Sequence, residues 1–349
     1  MKNILLLIFL VACVSCGNKK LPNLSNYNGN LKYNKICQLS EKPNLLGQIT
    51  SINFIDSSHF VISTKNSSNV FIYNTNGDQI KKIAKIGKGP NELLSPTIVR
   101  VYDSKIYVWC ANLLKLVVFD INGNPLNEYV NFKKGLKNFE IFKNYFCCFT
   151  GGGFKGSIIS IFDMNKNVII KEYGNATNEQ RLLSILEGAG GISLTRTGLL
   201  YSAPDQLSIT SINLSDWSES TKKYFDNEFV VKKIDMDGVE FFNSKPREAL
   251  EYIYKNSIVT GIFPSDNGYI LKTEVGEYSV NKNIVDFSKR YDKFYFLDKN
   301  MKLISALKVA KQSENLASIY ATFGNHIYNV SLYNKDNKEY YYQLNGITF

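Results

Sequence analysis

One unit recurs six times along this chain, and it decides the fold class before any other feature is weighed. An apolar strand ends in Asn or Asp, a short turn follows, and a second strand leaves it. The copies occupy residues 70–83, 116–129, 158–173, 207–224, 294–309 and 327–344. Their turn anchors are Asn74, Asp120, Asp163, Asn213, Asp298 and Asn334, at a mean spacing of about 52 residues, near the roughly 40–50 of a propeller blade. Asn76-Gly77 and Asn122-Gly123 are strong hairpin signals, because a tight turn between strands needs positive φ. A second short strand after a polar turn precedes each copy, at 58–61, 105–108, 144–146, 198–201, 268–271 and 324–327. Each unit therefore supplies four strands, A to D. The expected fold is all-β, a six-bladed β-propeller of four-stranded blades with short helical insertions. A two-sheet sandwich or two small β-domains would leave the ordered repetition unexplained.

The blades are expected at 49–85, 95–132, 138–173, 191–225, 257–309 and 318–345. Residues 33–39 are strand-like and precede the first blade. They are expected to pair with the last blade as its outer strand, which ties the chain ends together and removes an exposed edge. Two inserts interrupt the repeat. Residues 174–190 predict a helix from about Thr177 to Glu187. Residues 226–256 predict another, with Ser244 as its cap and Pro246 early in it.

The first sixteen residues, MKNILLLIFLVACVSC, place a lysine before nine apolar residues, too short a run to span a bilayer. They resemble a bacterial lipoprotein signal. Cys16 is the expected lipidation site and Cys13 the alternative, since Leu10-Val11-Ala12-Cys13 fits the signal box better. The run after Cys16 resembles lipoprotein N-termini of Bacteroidota. The lesser alternative is an ordinary cleaved secretory signal with incidental cysteines. A multiply acylated cysteine, at about 0.8 kcal/mol per buried methylene, makes a lasting anchor. Residues 17–32, rich in Asn, Lys, Pro and Gly, read as a flexible tether, and 33–349 as the propeller. Lys19 and Lys20 follow the cysteine, and the first acidic residue is Glu41. The resemblance then implies an outer-membrane lipoprotein facing the periplasm, with surface display as the alternative.

Composition limits the rest. At 44% hydrophobic and 21% charged over 349 residues, the chain has ample apolar surface for a core. Six cysteines are too sparse for a disulfide scaffold. Cys37, Cys110, Cys147 and Cys148 lack zinc spacing and read as buried thiols, with a bridge from Cys37 left open. The formal charge of +10 is scattered and suits an anionic membrane or glycan. Nucleic acid is not an expected partner, because the signal directs the chain out of the cytoplasm.

Residues 86–129 add a resemblance to a known family. Gly87, Gly89, Pro96, Ile106, Tyr107, Val108, Asn112, Lys115, Phe119, Asp120 and Gly123 occupy the places of an NHL-type repeat. Cys110 stands where that family usually carries Asp, and Lys115 where Arg is commoner. With the signal, residues 33–349 resemble the lipid-anchored six-bladed propellers of Bacteroidota described as TolB-like or NHL-like. The resemblance implies a fold more than an activity.

Chemistry is thinly marked. The two histidines, His59 and His326, open second strands and read as solvent-facing turn residues. Two cannot supply the set used by zinc lyases among NHL-like propellers, and no Gly-x-Ser-x-Gly elbow exists. Residues 151–157 are glycine-rich but lack the ending of a phosphate loop. Residues 235–238 fail the calcium-loop register and read as a surface turn. Neither a cofactor nor a metal is expected.

In a propeller, the D–A and B–C connections share one face, and length variation there marks binding loops. The irregular connections are 86–95, 109–115, 149–157, 174–190, 226–256 and 272–290. They nominate Lys88, Asn91 and Glu92; Trp109, Asn112 and Lys115; Phe154 and Lys155; Arg181, Asp205 and Gln206; and Arg247. For each, a solvated loop residue is the plainer reading, and for Trp109 it is core packing. The expected function is a lipid-anchored binding or scaffold module for an envelope protein or glycan. The alternative is a carbohydrate-active or lyase-type propeller with an acidic central pocket. The sequence leaves the oligomeric state open.

Overall fold

A computed structural model describes residues 32–348, apart from 66, 131, 133–134, 152–155, 186–187, 266, 277–278, 282–283, 287–289, 311–314, 325 and 336–338. Both candidate lipidation cysteines, Phe154 and Lys155 lie outside the described residues.

Chain order begins with β1 (Lys32–Gln38) and continues into six antiparallel sheets. Blade 1 is β2 (Ile49–Phe54), β3 (His59–Thr64), β4 (Asn69–Asn74) and β5 (Gln79–Ile83). Blade 2 is β6 (Pro96–Tyr102), β7 (Lys105–Cys110), β8 (Lys115–Asp120) and β9 (Pro125–Tyr129). Blade 3 is β10 (Asn138–Phe142), β11 (Tyr145–Phe149), β12 (Ser157–Asp163) and β13 (Val168–Asn175). Helix α1 (Asn178–Leu183) leads to blade 4, made of β14 (Gly191–Leu194), β15 (Gly198–Ser202), β16 (Ser208–Asn213) and β17 (Glu219–Lys223). Helices α2 (Gly238–Ser244) and α3 (Pro246–Lys255) precede blade 5. That blade holds β18 (Ile258–Ser265), β19 (Gly268–Val275), β22 (Tyr291–Asp298) and β23 (Leu303–Ala310), with a small hairpin, β20 (Ser279–Asn281) and β21 (Ile284–Asp286), between its second and third strands. Blade 6 is β24 (Asn315–Phe323), β25 (His326–Lys335) and β26 (Glu339–Thr348), with β1 as its outer strand.

The chain is thus a six-bladed propeller, closed by its first strand as the sequence predicts. Closure also explains one misreading. The sixth copy of the repeat, 327–344, is the second and third strand of its blade rather than the third and fourth. The fourth comes from the opposite end of the chain, so no C–D turn exists there, and Asn334 lies in β25.

At the five true C–D turns the anchors act alike. The side-chain oxygens of Asn74, Asp120, Asp163, Asn213 and Asp298 accept backbone N–H groups two to four residues onward, at 2.7–3.2 Å. That is the Asx-turn chemistry for which Asn and Asp are suited.

The core is divided into apolar seams between neighbouring blades. Phe54, Phe60 and Tyr73 of blade 1 pack on Val330 and Leu344 of blade 6. Val99 and Val108 of blade 2 meet Val61 and Ile72 of blade 1, and the other seams repeat the arrangement. The aromatic richness is mostly spent here. Trp109 is 1% exposed, with its ring 5.4 Å from Phe132 and 6.2 Å from Phe146. It is a core residue of strand β7, and the loop after it is only 111–114. Cys37, Cys110, Cys147 and Cys148 are buried free thiols.

The inner strands form the ring, and a ring leaves each one with an unpaired edge. Neighbouring side chains meet that need. Ser51 Oγ accepts Val99 N–H at 3.2 Å, Asn53 Oδ1 accepts Val101 N–H at 3.1 Å, and Arg100 Nε donates to the Phe139 carbonyl at 3.0 Å. No helix among the described residues is long and apolar enough to cross a membrane.

Candidate functional site on the loop-bearing face

Strand alternation sends the B–C loops and D–A connections to one face and the A–B and C–D turns to the other. On the loop-bearing face, blades 1 and 2 carry short connections, and the inserted helices and hairpin lie on the connections of blades 3–5.

Around blade 2, four nominated residues hold a loop rather than offer themselves to a ligand. Lys115 is 3% exposed. Its Nζ donates to the Gly89 carbonyl and to Glu128 Oε2, both at 2.9 Å. Glu128 Oε2 also accepts Asn91 N–H at 2.7 Å. Glu92 Oε2 accepts Gly89 N–H at 2.9 Å. A Cβ on Gly87 would come within 2.0 Å of that carboxylate, so a larger residue there would push the Glu92 side chain off the Gly89 N–H. Asn112 Nδ2 donates to Ser95 Oγ at 3.0 Å. Lys88 is exposed at the tip.

Over blades 4 and 5 sits a helical cap. Thr177 and Gln180 form a reciprocal capping box on α1. Both also bond Asp205, from the B–C turn of blade 4, at 2.9 Å and 2.7 Å. Burial pushes the Asp205 carboxyl up, against the pull of the Gln180 and Thr177 hydrogen bonds. Burial would raise Glu179 too, but Ile234 N–H and the Lys233 ammonium outweigh it and hold it low.

The predicted surface turn at 235–238 is instead a helix start. Asp237 caps α2, accepting Val239 and Glu240 N–H, and pairs with Arg181 Nε at 2.9 Å. Ser244 does not cap α3. Lys245 occupies that place, and the Ser244 hydroxyl donates to the Glu240 carbonyl. Helix α1 is shorter than expected. Leu182, Leu183, Ala249, Ile253 and Ile258 form the apolar base of the cap. Gln206 is half-buried beside Asp205, and Arg247 is exposed on the first turn of α3.

Sequence reasoning missed the charged network of blade 5. Lys272 is 4% exposed and its Nζ donates to Asp292 Oδ1 at 3.0 Å and Thr260 Oγ1 at 3.2 Å, with the Tyr320 ring 5.1 Å away. Arg290 Nε donates to Glu274 at 3.0 Å, and its Nη1 donates to the Tyr254 and Asn256 carbonyls. On the other face of the blade, Lys293 pairs with Asp226 at 2.6 Å and Glu228 at 2.5 Å. Tyr295 donates to Asp226 at 2.8 Å. The available signal was charge alternating along strands that otherwise read as buried.

These groups are mutually neutralised. Burial alone would lower Lys272, yet Asp292 and Glu274 raise it, so it stays a cation rather than a base. Burial also pushes up the Tyr295 and Tyr320 phenols. Among the described residues, no three His, Cys, Asp or Glu side chains gather as a metal site. The inner strands carry one carboxylate among their described residues, Glu140. Burial raises it against the pull of Arg100, whose Nε lies 3.3 Å away. A paired-carboxylate mechanism needs a second.

Comparison with known proteins fits this geometry. Residues 39–173, blades 1–3, match a family described as a 6-bladed beta-propeller, DUF5128. Curated proteins yield no significant match. Among solved structures, a protein of Bacteroides fragilis described as exported is 13% identical, with a TM-score of 0.66, covering 93% of this chain and 98% of that one. A DUF4221-family member from Bacteroides vulgatus is 14% identical, with a TM-score of 0.60 and the same coverages. A streptogramin B lyase is 12% identical, with a TM-score of 0.51, covering 91% and 98%. At such identities the likeness is one of fold, and strand pairing, family match and structural neighbours agree that this chain is a six-bladed β-propeller.

Proposed function

We propose that the chain is a lipid-anchored envelope propeller that binds a protein or glycan partner through its loop-bearing face. The observation that carries this reading is the concentration of elaboration on that face. Helices α1, α2 and α3 and the β20–β21 hairpin all rise from D–A or B–C connections of blades 3–5, while the opposite face keeps short turns. Binding residues collect on loops positioned by a rigid scaffold. The N-terminal signal supports export and acylation at Cys16, or at Cys13, and the likeness to an exported Bacteroides protein is consistent with export. An outer-membrane lipoprotein facing the periplasm is the corresponding location. The alternative of an acidic-pocket enzyme has no comparable support, because Glu140 is the one inner-strand carboxylate among the described residues and Arg100 holds it.

The test is capture of envelope proteins and glycan-array binding by the acylated chain, beside charge reversals on each face. A partner retained by the wild type and by Lys105→Glu/Lys166→Glu, but lost from Lys88→Glu/Arg247→Glu, is the expected outcome. Loss from the turn-face variant alone would sink the reading.

A further inference from the structure

Four outer strands share a local irregularity that no regular ladder requires. The register slips by one residue opposite the start of β5, β9, β13 and β23, leaving Ile80, Leu126, Ile170 and Ile304 without a partner. Such β-bulges re-aim side chains. Ile80, Leu126 and Ile304 are 54%, 51% and 55% exposed, while Ile170 is tucked in beside exposed Val168 and Ile169. Single apolar residues on a surface need no explanation. The same residue type bulged out at the same position of several blades is different. Each bulge closely follows its C–D turn, so in blades 1, 2, 3 and 5 these side chains stand at one height, at the rim of the turn-bearing face. Lys166, Lys299 and Lys302 are exposed around that rim.

The second observation is where the chain joins the fold. Lys32 pairs with Thr348, at the end of the third strand of blade 6, which places it on the same turn-bearing face. The stretch 17–31 between Cys16 and Lys32 can span at most about 50 Å. With the body inverted, that stretch would first have to run the height of a blade, whose ten-residue strands are about 33 Å long.

We propose that the turn-bearing face lies against the bilayer holding the N-terminus, with Ile80, Leu126 and Ile304 entering the lipid interface and the neighbouring lysines meeting lipid phosphates. The loop-bearing face then points away from the membrane. This inference rests on the anchor reading given above.

The test uses the full acylated chain in vesicles of phosphatidylethanolamine and phosphatidylglycerol. A polarity-sensitive fluorophore is placed at Leu126→Cys or, separately, at Lys88→Cys. The body thiols are buried, and a chain without the added cysteine sets the background. The expected result is a blue shift and quenching by nitroxide lipid at 126 and neither at 88. In an Ile80→Ser/Leu126→Ser/Ile304→Ser chain reporting from Lys166→Cys, quenching should fall severalfold with the circular dichroism unchanged. An unquenched label at 126, or quenching at 88 instead, overturns the proposal. So does a concentration-dependent dimer in detergent that the triple serine variant abolishes, since a second copy would then cover the rim. The mass of the N-terminal peptide decides the anchor separately, because a lipid-free peptide overturns that reading whatever the fluorescence shows.

Discussion

Asparagine and aspartate end the third strand of five blades because their short side chains reach the backbone N–H groups of the turn that follows. That role is local and can be read from spacing. Charge pairing is not local. Lys293 meets Asp226 and Glu228 only because a connection from blade 4 passes beside blade 5, and nothing in a sequence separation of more than sixty residues announces it. The pairing has a pH signature. The Lys293 hydrogen bond, aided by Lys308 and Tyr291 and opposed by burial, lowers the Glu228 carboxyl from 4.5 to about 2. The folded state then holds the ionised form more tightly than the unfolded chain. The stabilisation is complete above about pH 4.5 and fades as pH falls toward about 2. Melting temperature should therefore drop more steeply across that window in the wild type than in Glu228→Gln, with the two curves converging at its acid end. Parallel curves would show that the carboxylate contributes nothing.

At the scale of elements, the helical cap depends on one close approach. Gly238 begins α2 against α1, and a Cβ there would lie 2.3 Å from the Asn178 carbonyl oxygen and 2.5 Å from Leu182 N. Both contacts are backbone, so neither can swing aside. Gly238→Ala should cost about 1–3 kcal/mol, the usual range for overpacking. Hydrogen exchange should quicken in α1, α2 and α3 while the blade strands keep their protection. Uniform loss of protection would mean that the cap and propeller unfold as one unit. Helix positions near 178 and 246 were legible, the second from Pro246, although Ser244 is not its cap. Their contact was not, because about fifty residues of blade 4 and its connections lie between them.

The whole molecule is a ring, and the pairing of β1 with β26, which binds residue 32 to residue 348, completes its last blade. Removing residues 32–38 would expose the β26 edge, strip Cys37 from the seam between blades 1 and 6 and leave a template for aggregation. Such a chain is expected to lose its single cooperative melt and to associate, as seen by calorimetry and light scattering. A monomer melting as the parent does would show that three strands suffice to close the sixth blade.

Six blades, their four strands, the outer place of the first strand and the face bearing the loops all follow from local signals repeated along the chain. Period-two strands, Asx turns and Asn-Gly hairpins act over a few residues, so sequence alone determines them. The site is another matter. Trp109 and Lys115 were nominated as surface groups, yet the fold buries one between blades and locks the other on Glu128. Lys272, Asp292, Arg290 and Glu274 were not nominated, yet they form a densely charged part of the molecule. Burial and pairing depend on which blade face meets which neighbour, a relation between segments distant in sequence. Only the closed ring decides it.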